Sequence, residues 1–137
     1  MATVLEQVLN RLDVILKANV PAGCSVFRDR TDAQSLAEAP SVNVLAQEGA
    51  AEPMSEMDRH EVFIDLVIYT RGDQGAMACE AVHRAVHGPV VTDAALAALA
   101  ESRRLVDHSF DRQEADGTST HKRVRYRFTY LIPFNTL

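Results

Sequence analysis

Two histidines have the spacing of ligands in a helical metal site. His83 and His87 are four residues apart, so an α-helix would place both imidazoles on one face, with Glu80 one turn away. No third ligand stands at a recognisable spacing, and the HExxH order of zinc peptidases is absent. The pattern therefore favours exposed histidines on a solvated helix face, and it predicts neither a metal nor another cofactor.

Charged residues occupy alternate positions of two runs near the C-terminus: Asp107, Asp111, Arg123, Arg125 and Arg127. If the chain folds back at Gly117, Asp111 lies opposite Arg123. In the same register Asp107 lies opposite Arg127. Two carboxylates could act as a general acid and base, but arginines opposite them would keep both ionised. We therefore expect a salt-bridge ladder on a solvated strand face, with a charged surface between subunits as the alternative.

The other face of this predicted hairpin is apolar or aromatic. In the same register Phe110 meets Val124, and His108 meets Tyr126. A charged face and an apolar face together fix the register of two strands, because a slip by one residue would exchange the faces. The two runs therefore predict a β-hairpin in a sheet that has one charged face.

Arg71-Gly72-Asp73 spells the tripeptide that integrins bind. A string of three residues arises often by chance, and this one lies where a predicted strand passes into a predicted helix. There Gly72 would turn the chain and Asp73 would cap the helix. A structural role therefore explains the tripeptide.

Length and composition indicate one globular domain. The chain has 137 residues, of which 47% are hydrophobic, enough for a core. Its net charge of −5 argues against a general nucleic-acid-binding surface, which needs positive charge. Cys24 and Cys79 lie in no metal-ligand spacing, and we expect both to be reduced and buried. Glu6 and Asp13 interrupt the apolar N-terminal pattern, so we expect a soluble, cytoplasmically made protein without a signal peptide or membrane span.

Periodicity predicts an α+β order of elements. Apolar residues at helical spacing predict an N-terminal helix, Val4–Lys17, with Thr3 and Glu6 as its capping box. The other predicted elements are strands Ser25–Arg28, Ser41–Ala46 and Glu61–Thr70, helices Gln74–Val86 and Ala94–Glu101, and the final hairpin, whereas 31–39 is ambiguous. Gly88-Pro89 would end the first of these two helices. We expect a mainly antiparallel sheet with the N-terminal helix and one or two further helices packed on it.

The segment Gln47–Met57 lacks periodicity and is interpreted as a long loop or the tip of a long hairpin. Within it, Glu48, Glu52, Pro53 and Glu56 are candidates for a mobile loop that becomes ordered on docking. The strand that follows mixes acids with apolar residues on its second face. Such a face would suit partial covering by a partner chain.

Diffuse hydrophobic signatures cover nearly the whole chain: the helix Val4–Lys17, the strands Ser25-Val26-Phe27 and Val42-Asn43-Val44, the long strand from Arg59 to Tyr69, the helix containing Ala81-Val82-His83, and the hairpin end from Arg125 to Ile132. Together they resemble the tail terminator proteins of long-tailed bacteriophages, the lambda-like minor tail protein U family and its prophage relatives. The resemblance rests on the order of the elements rather than on invariant motifs.

The resemblance implies a single tail-terminator-like domain over residues 1–137, with an α/β sandwich fold and with neither catalysis nor a cofactor. Such proteins form a homo-hexameric ring on the head-proximal end of the tail tube, end tube polymerisation and receive the head connector. The implied partners are therefore further copies of the chain (with a monomer in solution as the alternative state), the tail tube protein and the head connector protein. DNA would only pass through the ring. The implied location is the virion tail, after assembly in the cytoplasm of a bacterial host.

A ring of this kind needs two different complementary patches on each subunit. Glu61 and Asp65 on the long strand are candidates for one patch. The arginine row of the hairpin is the candidate for the other, and the acids of the hairpin are further candidate interface residues: Arg123, Arg125, Arg127, Asp107 and Asp111. This hypothesis predicts that Arg125→Glu with Arg127→Glu weakens the ring and leaves the monomer folded.

Three other functions stay open at this point. One is a head-tail connector component of the same virion. Another is a small-molecule-binding α+β module that dimerises through a sheet edge and has a closed apolar pocket. The last is a small hydrolase or metal enzyme built on His83, His87 and nearby acids.

Overall fold

The computed structural model describes residues 2–30, 40–113 and 118–137. The elements in chain order are α1 (Val4–Asn19), β1 (Ser25–Arg28), β2 (Ser41–Pro53), β3 (Met57–Arg71), α2 (Gly75–Thr92), α3 (Ala94–Leu99), β4 (Ser102–Gln113) and β5 (Ser119–Pro133). The strands form one sheet in the order β1-β2-β3-β5-β4, with β1 and β2 parallel and the other neighbours antiparallel. The predicted α+β class is confirmed, whereas the ambiguous segment 31–39 and the expected turn at 115–117 lie outside the described residues.

The core lies between the sheet and the helices. Its main members come from α1 (Val8, Leu12, Ile15, Leu16), α2 (Cys79, Val82, Val86, Val90), β3 (Val62, Ile64, Leu66, Ile68) and β5 (Val124, Tyr126, Phe128). Because side chains alternate across a strand, the charged residues between these positions point to the other face of the sheet. We call this second face, which no helix of the described part covers, the open face. None of the helices within the described ranges is long and apolar enough to span a lipid bilayer.

Helix α1 begins as its sequence predicts. The Thr3 hydroxyl accepts a hydrogen bond from the Glu6 backbone N–H at 3.1 Å, and the Glu6 carboxylate accepts one from the Thr3 N–H at 2.9 Å. This reciprocal capping box satisfies two donors that the first helical turn leaves free, a contribution of about 1 kcal/mol. The helix ends two residues later than predicted, at Asn19.

Helix α2 continues through Gly88-Pro89 to Thr92, so the predicted end of this helix is wrong. Pro89 has no N–H to donate to the preceding turn, which costs one helical hydrogen bond. Two contacts offset that loss, since Val90 is fully buried in the core and the Thr92 hydroxyl donates to the Gly88 carbonyl at 2.7 Å. The packing of the last turn therefore outweighs the local preference of proline.

An aspartate lies close to the start of both α2 and α3, but only one of the two caps its helix. Asp93 caps α3, because its carboxylate accepts from the Leu96 N–H at 2.9 Å. Two hydrogen bonds from Arg11 to the same carboxylate hold the pKa of Asp93 down at about 2. Asp73 does not cap α2, since Gln74 occupies the N-cap position without a side-chain cap bond.

The segment Gln47–Met57 is the tip of a long hairpin, which confirms one of its two interpretations. Strand β2 runs to Pro53, and the Met54 N–H donates to the Met57 carbonyl at 2.9 Å to close the turn. A bulge separates Ala46 from Gly49. A Cβ atom on Gly49 would approach the Glu61 carbonyl oxygen to 2.7 Å. We call Gln47–Glu61, the exposed end of this hairpin, the arm.

The β4–β5 hairpin forms, but its predicted register is wrong by two residues. Asp107 lies opposite Arg125, and Asp111 lies opposite His121. A shift by two residues preserves the faces, so from Asp107 onward alternation predicted the faces correctly and the opposing partners incorrectly. A bulge at Val106 shifts the register again by one residue toward the start of β4.

The aromatic pairs expected in this hairpin change with the register. His108 lies opposite Val124, and Phe110 lies opposite Lys122. Leu105 takes the place opposite Tyr126 that was predicted for His108. The bulge therefore sets which β4 side chains face the helices.

Candidate functional site

Four charged residues meet on the open face and form what we call the charged cluster: Asp65, Asp107, Arg123 and Arg125. Arg125 donates to both oxygens of Asp65, with Nε–Oδ1 at 2.8 Å and Nη2–Oδ2 at 3.2 Å. Asp65 is only 1% exposed, so the bidentate arginine is the main compensation for burying its charge. The charge of Asp65 is thus neutralised within its own subunit.

The second half of the charged cluster is more exposed. Arg123 donates to Asp107 at 2.7 Å, and its other terminal nitrogen lies 3.7 Å from Asp65. The hydrogen bond from Arg123 lowers the pKa of Asp107, so this carboxylate is ionised at neutral pH. The predicted salt-bridge ladder is present with different partners, and its arginines disfavour the proton transfer that general acid–base catalysis needs.

The structure separates the remaining candidate interface residues from the charged cluster. Glu61 lies opposite Thr129 and is half-buried, and Asp111 is exposed beside His121. Arg127 lies between Phe63 of β3 and Arg104 of β4. Their role at an interface stays a prediction.

The pairing of Arg125 with Asp65 changes what we expect of the charge-reversed double variant, Arg125→Glu with Arg127→Glu. A glutamate at position 125 would face the buried Asp65 carboxylate and leave it without its partner. Breaking a buried ion pair from one side is strongly destabilising. From the structure we instead expect this variant to lose stability, so an interface test must use other charges.

The four candidate docking residues lie along the arm. Glu48 lies at the bulge of β2, Glu52 and Pro53 pair with the start of β3, and Glu56 lies in the turn. All four are exposed. They form an acidic edge on a paired hairpin rather than an irregular loop, and their docking role stays a prediction.

A second polar cluster, which we call the relay, lies between α2 and the sheet: Glu80, His83, His87, Lys122 and Tyr126. Lys122 is 3% exposed and His83 is 8% exposed. The expectation that His83 and His87 are solvated is therefore wrong for His83, and His87 is only partly exposed. Helical spacing correctly places both imidazoles on one face, but that face packs against β5.

The hydrogen bonds of the relay have a defined direction. An ammonium group only donates, so Lys122 donates to His83 Nδ1 at 3.0 Å and also to the Glu80 carboxylate. The proton of neutral His83 is then on Nε2, which donates to the Tyr126 hydroxyl at 2.9 Å. Tyr126 in turn donates to His87 Nδ1 at 2.7 Å. Both ring nitrogens of His83, the Tyr126 hydroxyl and the Lys122 ammonium thus have partners.

Burial and charge set the protonation states of the relay. Burial lowers the pKa of His83 to about 4, and the Lys122 ammonium acts in the same direction. Burial raises the pKa of Tyr126 far above its usual range, whereas the hydrogen bond from Lys122 lowers the pKa of Glu80. The relay at neutral pH therefore contains one ion pair, a neutral His83 and a protonated tyrosine. This arrangement joins α2 to β5.

One signal in the sequence could have indicated the relay. Lys122 lies on the same strand face as Val124, Tyr126 and Phe128, which belong to the core. A lysine in that position needs a counter-charge and an acceptor from the element packed on the strand. The i, i+3 pair Glu80 and His83 supplies both.

The described residues provide no candidate site for metal or thiol chemistry. No group of three or more His, Cys, Asp and Glu side chains in this part of the chain could hold a metal ion. Cys79 is buried and contacts Thr70 at 3.4 Å, and burial raises its pKa. Cys24 is only half-buried, contrary to expectation, and burial raises its pKa to about 11.

Comparison with protein-family models and with curated proteins adds no relative, because neither comparison yields a match to this chain.

Proposed function

We propose that this chain is a structural subunit of a phage tail, a tail terminator. In this proposal six copies form a ring on the head-proximal end of the tail tube, stop its polymerisation and offer a surface to the head connector. The chain carries no catalytic activity and no cofactor, and DNA only passes through the ring. The order of elements that resembles this family supports the proposal, together with the surfaces described next.

The arm is the observation that carries this proposal. Its β2 side is exposed from Gln47 to Pro53, and Met54 at the turn is 47% exposed. Phe134, which follows β5, is 68% exposed and donates its backbone N–H to the Glu56 carbonyl at 3.3 Å. Exposed apolar side chains rimmed by acids are typical of protein–protein contacts. The arm therefore suits docking to another virion protein.

Two grooves beside the arm bear on the small-molecule alternative. One of about 200 Å³ is lined by Ile132 and Leu137, among others, and one of about 320 Å³ is lined by Gln47 and Glu61, among others. The larger groove reaches the usual volume of small-molecule sites, about 300–1,000 Å³, but it is open to solvent and is not the closed apolar pocket that such a module predicts. The dimeric small-molecule-binding module is therefore the less favoured function.

Binding to tail tubes separates the terminator from the head-tail connector alternative. The purified protein is mixed with tail tubes of the same phage that lack a terminator, and the tube ends are imaged by electron microscopy. We expect a ring on one end of each tube and an arrest of tube growth, both weakened by Met54→Asp with Phe134→Asp. Binding to the portal end of filled heads, with bare tube ends, would instead favour the connector function.

A further inference from the structure

Strand β4 is the long outer edge of the sheet. Its inner side pairs with β5, and its outer side has no neighbouring strand among the described residues. Its side chains from Arg104 onward are exposed, and these include Leu105, Val106 and Phe110. A row of unpaired N–H and C=O groups along such a strand is a template for another strand.

The bulge at Val106 decides which β4 residues share a face. Leu105 and Phe110 both lie opposite β5 residues that point toward the helices. Arg104 and Asp111 both lie opposite β5 residues of the open face. Because of the bulge, Leu105 and Phe110 share one face of β4, and Arg104 and Asp111 share the other. A strand that pairs with β4 must accommodate the same irregularity.

We propose that two copies of this chain pair antiparallel along β4, with His108 on the two-fold axis. In this register Phe110 lies opposite the partner's Leu105. Asp111 lies opposite the partner's Arg104, and each contact occurs twice. Because both strands carry the bulge at the same residue, the paired side chains lie on the same face on both sides of the axis. The strand is therefore complementary to itself in shape and in charge.

Charge on the open face provides a second argument for this partner. Arg104 lies directly opposite Arg127 within the subunit, and neither has a carboxylate partner among the described residues. Like charges opposite each other destabilise a strand pair. The partner's Asp111 would lie on the free side of Arg104 and offset this repulsion. Pairing of two copies thus compensates an imbalance that the single subunit leaves.

The ends of the paired strands also fit. The register places Arg103 opposite the partner's Arg112, but the Arg103 guanidinium is held within its own subunit. It donates to the Val90 carbonyl at 3.1 Å and to the Asp93 carbonyl at 2.8 Å. These bonds direct the charge toward the α2–α3 junction and away from the edge.

This contact goes beyond the proposed ring. A two-fold contact joins identical surfaces, whereas a six-membered ring needs a head-to-tail contact between different surfaces. The ring contacts therefore use other surfaces, and β4 pairing joins two subunits or two rings. Failure of one contact leaves the other intact, so the two proposals are tested separately.

Cysteine cross-linking tests the register directly. In full-length protein carrying Cys24→Ser, His108→Cys places two thiols opposite each other on the axis. We expect a disulfide-linked dimer under mild oxidation, visible on a non-reducing gel. Ser109→Cys is the matched control, because its two thiols lie more than about 7 Å apart, beyond bridging distance. Equal cross-linking of both variants, or of neither, would overturn the proposal.

A charge exchange tests the occupant independently of cross-linking. Arg104→Asp or Asp111→Arg alone makes both symmetric charge pairs repulsive, and we expect the dissociation constant of the dimer to rise about tenfold or more. The double variant restores opposite charges and should recover most of the affinity, as measured by analytical ultracentrifugation. A double variant no better than the single ones would contradict β4 pairing, and circular dichroism of each variant verifies the fold.

Discussion

At the scale of single residues, Lys122 explains the polar chemistry between α2 and the sheet. A buried ammonium group is costly unless it is paired and hydrogen-bonded. Glu80 supplies the counter-charge, and His83 accepts a further hydrogen bond because it is neutral. The histidine therefore contributes to the fold only in its unprotonated form.

This requirement predicts a pH dependence. The folded-state pKa of His83 is lowered to about 4, whereas in the unfolded chain it is about 6.5. The unfolded state thus binds the proton first, and the stability contribution is complete above pH 6.5 and is lost as the pH falls toward 4. The loss amounts to about 3 kcal/mol. His83→Gln, which can accept from Lys122 but does not titrate, should show a shallower decrease in the free energy of unfolding.

Urea unfolding monitored by circular dichroism between pH 4 and 7 provides this measurement. His60→Gln is the control, because His60 lies on the arm and stacks on Tyr130 away from the relay. Identical pH slopes for the wild type and His83→Gln would show that His83 is not held neutral by the fold.

At the scale of elements, the contact between α2 and β5 fixes the start of the helix. Gly75 is buried, and a Cβ atom there would come within 2.1 Å of the Thr120 hydroxyl oxygen and 2.7 Å of its Cβ. At Gly88 in the same helix, no atom of another element lies within 4 Å of such a position. The packing of α2 on β5 thus constrains Gly75 and leaves Gly88 unconstrained.

We expect Gly75→Ala to lower the free energy of unfolding by about 1–3 kcal/mol, because the helix must move away from β5. Gly88→Ala should change it by less than about 1 kcal/mol, because the helix preference of alanine is opposed by the contact of its Cβ with the Pro89 ring. Thermal unfolding of both variants measures the difference. A stabilising Gly75→Ala would contradict the close approach of α2 to β5.

The elements also show what the sequence could predict. Alternation identified β3 and, from Asp107 onward, both faces of the β4–β5 hairpin, because burial of one face imposes a period of two. The register was out of reach, because a shift by two residues leaves both faces unchanged. The bulge at Val106, which no local pattern announces, then shifts the register by one more residue. The predicted end of α2 was wrong for a related reason. Proline ends most helices, but here the burial of Val90, a tertiary effect, holds the last turn in place. The relay could not be predicted because it needs α2 and β5 to be packed together.

At the scale of the whole molecule, the sheet has one covered face, one charged face and several exposed margins. The charged cluster neutralises itself on the open face. Exposed apolar side chains lie along the arm and the β4 edge, and Val14 of α1 and Met77 of α2 are also exposed. They lie at different places on the subunit, as a protein with more than one neighbour requires. This distribution agrees with a subunit of an assembly and motivates the central claim that the chain forms a ring.

Light scattering coupled to size exclusion, over a wide range of concentration and with a divalent cation added, tests this claim most directly. It is applied to the wild type and to Arg104→Asp, which weakens the two-fold β4 contact and so makes the ring contact easier to observe. We predict that Arg104→Asp shifts from monomer toward hexamer as its concentration rises, and that the wild type also contains dimers or paired rings. If neither protein exceeds two copies at any concentration, and neither forms a ring when tail tubes are added, the ring, and with it the proposed terminator function, is contradicted.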